Sequence, residues 1–278
     1  MSSPADGRLA RSRKRRQGKD LVCELVFRPL AHPIVLVLLP LRVPPPAVVV
    51  AGTAVGLASA VEIGRHELVA AAVLLQLKTV LDNADGQLAR LSGRVTAFGR
   101  YLDSESDLLV NVALLAALGY LTGHYVLALL AFVVLTLVLS VDFNLEVLYR
   151  RERGETVEPM PPARGPERVF AWLYAVLYAP HDKLLERFVE RRLERLQADE
   201  AARLAYHDRF TLAVVAQLGL STQLAVLGIF LALGRPTAYL WFVLACGAAL
   251  IPLAVRRERL ARRRPTFSDL AFDERSSA

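Results

Sequence analysis

The chain has 278 residues, 54% of them hydrophobic, and its 34 Lys and Arg outnumber 27 Asp and Glu to give a formal charge of +7. A single soluble domain seldom combines so much apolar sequence with so many arginines, so the two must be segregated along the chain. The two cysteines, Cys23 and Cys246, are too far apart for a zinc-ligand spacing and too few for a disulfide framework.

In chain order, residues 1–19 form a basic N-terminus. Its run Arg11-Ser12-Arg13-Lys14-Arg15-Arg16 reads as a topology determinant and anionic-lipid contact rather than a nucleic-acid arm. No small-residue cleavage site follows a short apolar core, so a secretory signal is not expected. Residues 20–41, in which Pro33 and Pro40 interrupt the apolar run just after Pro29, predict an amphipathic or re-entrant segment at the membrane interface, with a seventh span as the alternative. Residues 42–255 hold six apolar runs at 43–62, 67–90, 98–122, 124–145, 209–233 and 236–255. Most reach the roughly 20 residues that a membrane-spanning helix needs. The predicted fold class is therefore an all-α membrane protein with six transmembrane helices and an N-terminal interfacial amphipathic helix.

Arg and Lys crowd the N-terminus, the turn near 90–100, the segment after Arg150 and the tail at 256–278. The alternate connections carry few, which places both termini in the cytoplasm. Residues 150–208 read as a cytoplasmic insertion with three parts. A Pro- and Gly-rich loop covers Gly154 to Pro166, and Arg168 to Tyr178 is apolar enough to lie on the membrane. Lys183 to Leu204 then predicts one charged helix with Leu184, Leu185, Phe188, Leu193 and Leu196 along one side. No internal repeat or separate soluble domain is visible.

One stretch carries the chemistry. Asp82, Asp85, Gly86, Ala89, Arg90, Gly99, Asp103 and Asp107 place four carboxylates, two glycines, an alanine and an arginine at fixed spacings beside apolar sequence. Charge of that density is costly near a membrane and points to function. On a helix, Asp82, Asp85, Gly86 and Ala89 share one face, and so do Gly99, Asp103 and Asp107 on the next. A short polar turn at Ser92 to Thr96 would let the two faces bring four carboxylates together. Such an all-oxygen donor set suits Mg²⁺, Mn²⁺ or Ca²⁺. Gly86 and Ala89 leave space for a bulky diphosphate, and the planar fork of Arg90 suits a phosphate. Lys78 lies four residues before Asp82, on its face, where it could balance the acidic cluster or snorkel to the interface, and Asn111 lies one turn beyond Asp107. These two, with Gln217, Ser221, Thr222 and Gln223, are candidates for an acceptor pocket, against interhelical hydrogen bonding as the plainer role. Arg150 and Arg209 could bind a phosphorylated acceptor, although both also satisfy the charge rule for topology.

The eight positions resemble the signature D-x2-D-G-x2-A-R-x8-G-x3-D-x3-D of the CDP-alcohol phosphotransferases (CDP-alcohol phosphatidyltransferases), and each fixed position matches. The resemblance implies transfer of a substituted phosphoryl group from a CDP-alcohol to an acceptor hydroxyl, with CMP leaving. It also implies two divalent ions, Mg²⁺ or Mn²⁺, with no organic cofactor, and a homodimer in the lipid bilayer. Asp82, Asp85 and Asp103 would be metal ligands. Asp107 would be the general base and a further metal contact. Asp82, Gly86, Ala89, Arg90, Thr96 and Gly99 would lie on the nucleotide side. Ser104 and Leu108 stand where the phosphatidylglycerophosphate-type branch often has proline and lysine, so glycerol 3-phosphate is the less favoured acceptor. CDP-diacylglycerol with a small polar alcohol is the expected pair. The alternative donor is a water-soluble CDP-alcohol (CDP-ethanolamine, CDP-choline or CDP-inositol) acting on a lipid or polyol. An inactive scaffold or transporter would be expected to have lost a carboxylate, and none is lost.

Overall fold

The computed structural model describes residues 16–155, 168, 169, 172 and 179–263. All regular structure among them is helical. A π-helical turn, Cys23–Phe27, runs into α1 (Arg28–Leu38), followed by α2 (Pro45–Gly64), α3 (Leu68–Leu91), α4 (Ala97–Thr122) and α5 (Tyr125–Glu152). Beyond the insertion come α6 (Ala179–Arg195), α7 (Glu200–Tyr206), α8 (Arg209–Ala216), α9 (Leu220–Ala232) and α10 (Pro236–Arg262).

The boundaries that position the site are written in local chemistry. Pro44 is extended and Pro45 opens α2, where a missing N–H costs nothing because the first amides of a helix have no internal partner. Gly93 takes φ +67 and the Arg94 amide donates to the Ala89 carbonyl at 2.9 Å. That left-handed residue ends α3 and turns the chain sharply. Three residues on, Thr96 is extended and its hydroxyl accepts from the Gly99 amide at 3.0 Å, which starts α4. The predicted turn at 92–96 is thus observed.

Packing centres on α2, which lies along both α3 and α4, while α9 packs on α3 and α10 on α5. Leu75, Leu114, Leu118, Leu135, Leu227, Leu231, Tyr239 and Leu240 are almost wholly buried in the main core. A smaller cluster seats Ala31 and Val35 of α1 against Val48, Ala84 and Leu88. The outer faces are apolar as well, with Val126, Leu129, Val133 and Trp241 well exposed, a surface suited to lipid rather than water.

Among the described residues, five stretches are long and apolar enough to cross a membrane: Pro45–Gly64, Ala97–Thr122, Tyr125–Glu152, Glu200–Ala232 and Pro236–Arg262. The apolar run 67–90 is also helical as α3, whose 24 residues reach ~36 Å at 1.5 Å per residue. It falls outside that group because Lys78, Asp82, Asp85 and Arg90 interrupt it.

Several expectations are corrected. The helix of α1 continues through Pro33 and stops at Leu38, so only Pro40 marks its end. The run 209–233 is two helices, α8 and α9, separated at Gln217 to Gly219. The single helix predicted for Lys183 to Leu204 is broken after Arg195, and Asp199 caps α7 by accepting from the Ala202 amide. Leu184 and Phe188 are exposed, while Val189 and Leu193 are the buried pair. Their shared cluster includes Leu148, Tyr206 and Ala261, so the buried side of α6 is set by where α5, α7 and α10 meet it. Gly154 and Glu155 are described, but the rest of the predicted loop and most of Arg168 to Tyr178 lie outside the described residues.

Candidate active site

The C-terminal turns of α3 and the first turns of α4 form the site. One carboxylate oxygen from each of Asp82, Asp85 and Asp103 lies within 4.8 Å of the other two. Asp85 is 6% exposed, and its Oδ2 is buried with no hydrogen-bond partner. A buried carboxylate oxygen left unpaired beside two further carboxylates is strongly unfavourable unless a cation joins them. The orphaned oxygen and the all-oxygen donor set therefore fit a hard divalent ion.

Asp107 faces a different partner. Lys78, 2% exposed, donates from Nζ to Asp82 Oδ1 at 3.2 Å and forms a second ion pair with Asp107 Oδ1. Its buried stem lies against α2, where a Cβ added at Gly56 would sit 3.2 Å from Lys78 Cγ and 2.8 Å from Val110. Gly56 is small because a lysine from α3 and a valine from α4 both need the space. Lys78 is thus a bridge between the two aspartate-bearing helices, not an open acceptor-pocket residue. Gly52 and Gly56 form a Gly-x3-Gly pair on α2, a pattern that permits close helix approach. That pattern is the signal by which sequence reasoning could have found this support.

The Arg90 guanidinium folds over Gly86. A Cβ there would meet Arg90 Nη1 and Nη2 at 3.2 and 3.3 Å, so the glycine leaves room for the fork itself. Ala89 is half-buried. Thr96 and Gly99 are joined by the cap that begins α4.

The N-terminal helix buttresses α3. The Cys23 thiol donates to Asn83 Oδ1 at 3.0 Å, and Asn83 Nδ2 donates to the Thr79 carbonyl at 2.9 Å. Gln87 Nε2 donates to the Arg28 carbonyl at 3.0 Å. Its Oε1 lies 3.2 Å from His32 Nδ1, so that ring nitrogen must carry the proton. These amides lie within the motif at its unspecified positions, and sequence reasoning passed over them.

Other candidates are placed elsewhere. Asn111 is buried on α4. Arg150 pairs with Glu155 at 2.7 Å, and Arg209 opens α8. Gln217 donates to the Lys19 carbonyl at 2.7 Å and accepts from the Leu21 amide at 3.0 Å. Thr222 donates from its hydroxyl to Asp20 Oδ1 at 2.9 Å. Both residues therefore hold the N-terminal segment at the break between α8 and α9. The same segment reaches α5 as well, where Arg16 pairs with Asp142 at 2.8 Å and the Gln17 and Gly18 amides donate to the Glu146 carboxylate.

With this geometry established, the match to known proteins has a physical basis. The chain belongs to the CDP-alcohol phosphatidyltransferase family, whose model matches residues 31–186. Two similar proteins are both named bifunctional IPC transferase and DIPP synthase. The one from Thermococcus kodakarensis is 33% identical over 114 residues, 39% of this chain and 26% of the relative. The one from Aquifex aeolicus is 47% identical over 47 residues, 17% of this chain and 11% of the relative. The matched stretches span about a quarter or less of these relatives.

Proposed function

We propose that the chain transfers a phosphatidyl group from CDP-diacylglycerol to a small polar alcohol, releasing CMP in phospholipid synthesis. The observation that carries the reading of the site is the convergence of Asp82, Asp85 and Asp103, with Asp107 beside them in an ion pair with Lys78. Asp82, Asp85 and Asp103 would hold Mg²⁺ or Mn²⁺, which when bound neutralises the donor's diphosphate and the charge on departing CMP. Arg90 binds a phosphate that ions held by these carboxylates would not reach, and Gly86 and Ala89 keep the helix face low beneath the nucleotide. Asp107 accepts the proton of the acceptor hydroxyl. The acceptor oxygen forms its bond to phosphorus as the bond to CMP breaks, and the electron pair leaves with CMP. Six spans, counting α3, put both termini and the site on the cytoplasmic side, in keeping with the arginines near 90–100 and after Arg150. The chain acts as a homodimer in this reading.

A second reading has a water-soluble donor, CDP-inositol, CDP-ethanolamine or CDP-choline, acting on a lipid or polyol. Similarity to two proteins named bifunctional IPC transferase and DIPP synthase, a name that does not mention phosphatidyl transfer, favours it. Both readings are tested by CMP release from protein in lipid with Mg²⁺ or Mn²⁺. CDP-diacylglycerol would be screened first against serine, inositol, inositol phosphate and glycerol 3-phosphate, then replaced by the soluble donors. Release that depends on acceptor and disappears with EDTA or Asp107→Asn is expected. Release from the soluble donors alone would reject the lipid-donor reading.

A further inference from the structure

We propose that Arg28, the first residue of α1, is a second phosphate-holding residue for the donor, joining Arg90 in gripping the diphosphate of the CDP-alcohol. The inference rests on the reading of the site given above, and it holds for a lipid or a soluble donor because CDP is common to both. The backbone of Arg28 is fixed on both sides. Its amide donates to the Cys23 carbonyl and closes the π-helical turn, while its own carbonyl accepts from Gln87 Nε2 at 3.0 Å. Cys23 is tied in turn to Asn83 through its thiol at 3.0 Å. Asn83 and Gln87 are one helical turn apart on α3, so the π-helical turn is seated on the helix that carries Asp82, Asp85 and Arg90. Such turns are rare and recur at functional sites. Here the turn brings a guanidinium to the end of α3.

Charge gives the second observation. Arg90, three residues beyond Gln87, feels the Asp85 and Asp103 carboxylates and the Arg28 guanidinium together, so two arginines from separate elements share one neighbourhood beside the carboxylates. Side by side they repel each other. An anion with several oxygens set between them turns that repulsion into charge-assisted hydrogen bonds. Arg28 also pairs through Nη1 with Glu24, one turn back, and the two side chains are 12% and 18% exposed. A guanidinium carries five N–H donors, so one carboxylate orients the fork without exhausting it. Ions held by Asp82, Asp85 and Asp103 would take some oxygens of the diphosphate, and the two forks take others.

The test measures CDP affinity by calorimetry, with Mn²⁺ present, for wild type, Arg28→Gln, Arg28→Lys and Glu24→Gln in nanodiscs of neutral and of anionic lipid. Arg28→Gln is expected to weaken CDP binding about 30-fold in both lipids, the loss of a charge-assisted contact. Its Mn²⁺ affinity without nucleotide should change less than about threefold, because Arg28 holds no metal. Arg28→Lys should weaken CDP binding about fivefold, since it keeps the charge but not the fork. Glu24→Gln breaks the same ion pair yet leaves the fork to the nucleotide, so its CDP affinity should match wild type within about twofold or tighten. An equal loss in Glu24→Gln, or a matching loss of Mn²⁺ affinity in Arg28→Gln, would make Arg28 a brace for α3 and overturn the proposal. CDP affinity of Arg28→Gln within about twofold of wild type in neutral lipid overturns it too, and a loss confined to anionic lipid would assign Arg28 to lipid headgroups instead. If Arg28→Gln does not fold, Arg28→Lys decides by the same twofold limit. Wild type that binds no CDP would overturn the reading of the site and this inference together, a result distinct from any variant outcome.

Discussion

The two charged regions of the molecule arrange their charges differently. Around α5, α7, α8 and α10, charged groups meet partners of opposite charge or backbone carbonyls, although Arg256 Nε and His207 Nε2 are buried there without a hydrogen-bond partner. Arg16 meets Asp142, Asp208 meets Arg256, and Arg257 donates to the Tyr206 carbonyl. Arg203 reaches both Glu152 and Glu190. Where the end of α3 meets the start of α4, three carboxylates instead crowd within 4.8 Å of one another, and Asp85 Oδ2 has no hydrogen-bond partner. The first arrangement ties helices together. The second gives up local stability, as sites built for chemistry commonly do.

That contrast is broken or sharpened by substitutions whose effects on activity and stability should diverge. Asp85→Asn is expected to cut CMP release more than about 1000-fold, since it removes a metal-holding oxygen. It should also raise the thermal midpoint in metal-free buffer, because it relieves repulsion among like charges. A lowered midpoint would show that Asp85 supports the fold. Asp208→Ala should do the reverse. It removes the cap on the Thr211 amide, the bond from the Thr211 hydroxyl and the ion pair to Arg256, costing about 3 kcal/mol. Denaturation would show the loss, and the surviving folded protein should turn over normally. Gly56→Leu should cost about 2 kcal/mol by overpacking against Val110 and Lys78, with turnover lowered as well because the strain falls on the site. Arg203→Ala is the mildest. Its fork is 31% exposed, so solvent screening limits the loss to about 1 kcal/mol, with donor KM unchanged.

How much of this was legible in the sequence follows from the range of each interaction. The motif and its turn could be read directly, because Asp82 to Asp107 act through helical periodicity and a five-residue connection. Gly93 and Thr96 then end and begin helices by local hydrogen bonds. The break at Gln217 to Gly219 was hidden, because the surrounding run is apolar on both sides and the polar residues there answer to Lys19, Asp20 and Leu21. The split between α6 and α7 was missed for a related reason. Leucine spacing alone continues past Arg195, while Asp199 starts a new helix by capping the Ala202 amide. The role of Lys78 was only half visible. Its relation to Asp82 is one helical turn, but its relation to Asp107 depends on how α2 brings α3 and α4 together.

The segment at Arg16 to Leu21 also sets a clock. Leu21 and Gln217 are 196 positions apart, and Asp20 and Thr222 are 202. At about 5 to 20 residues per second of synthesis, those contacts are out of reach for roughly 10 to 40 s after the segment is made. The first residues of the fold are thus among the last to find their seats. During that interval α3 has its contacts to Cys23, Arg28 and His32 but not the fastening of that buttress to α9.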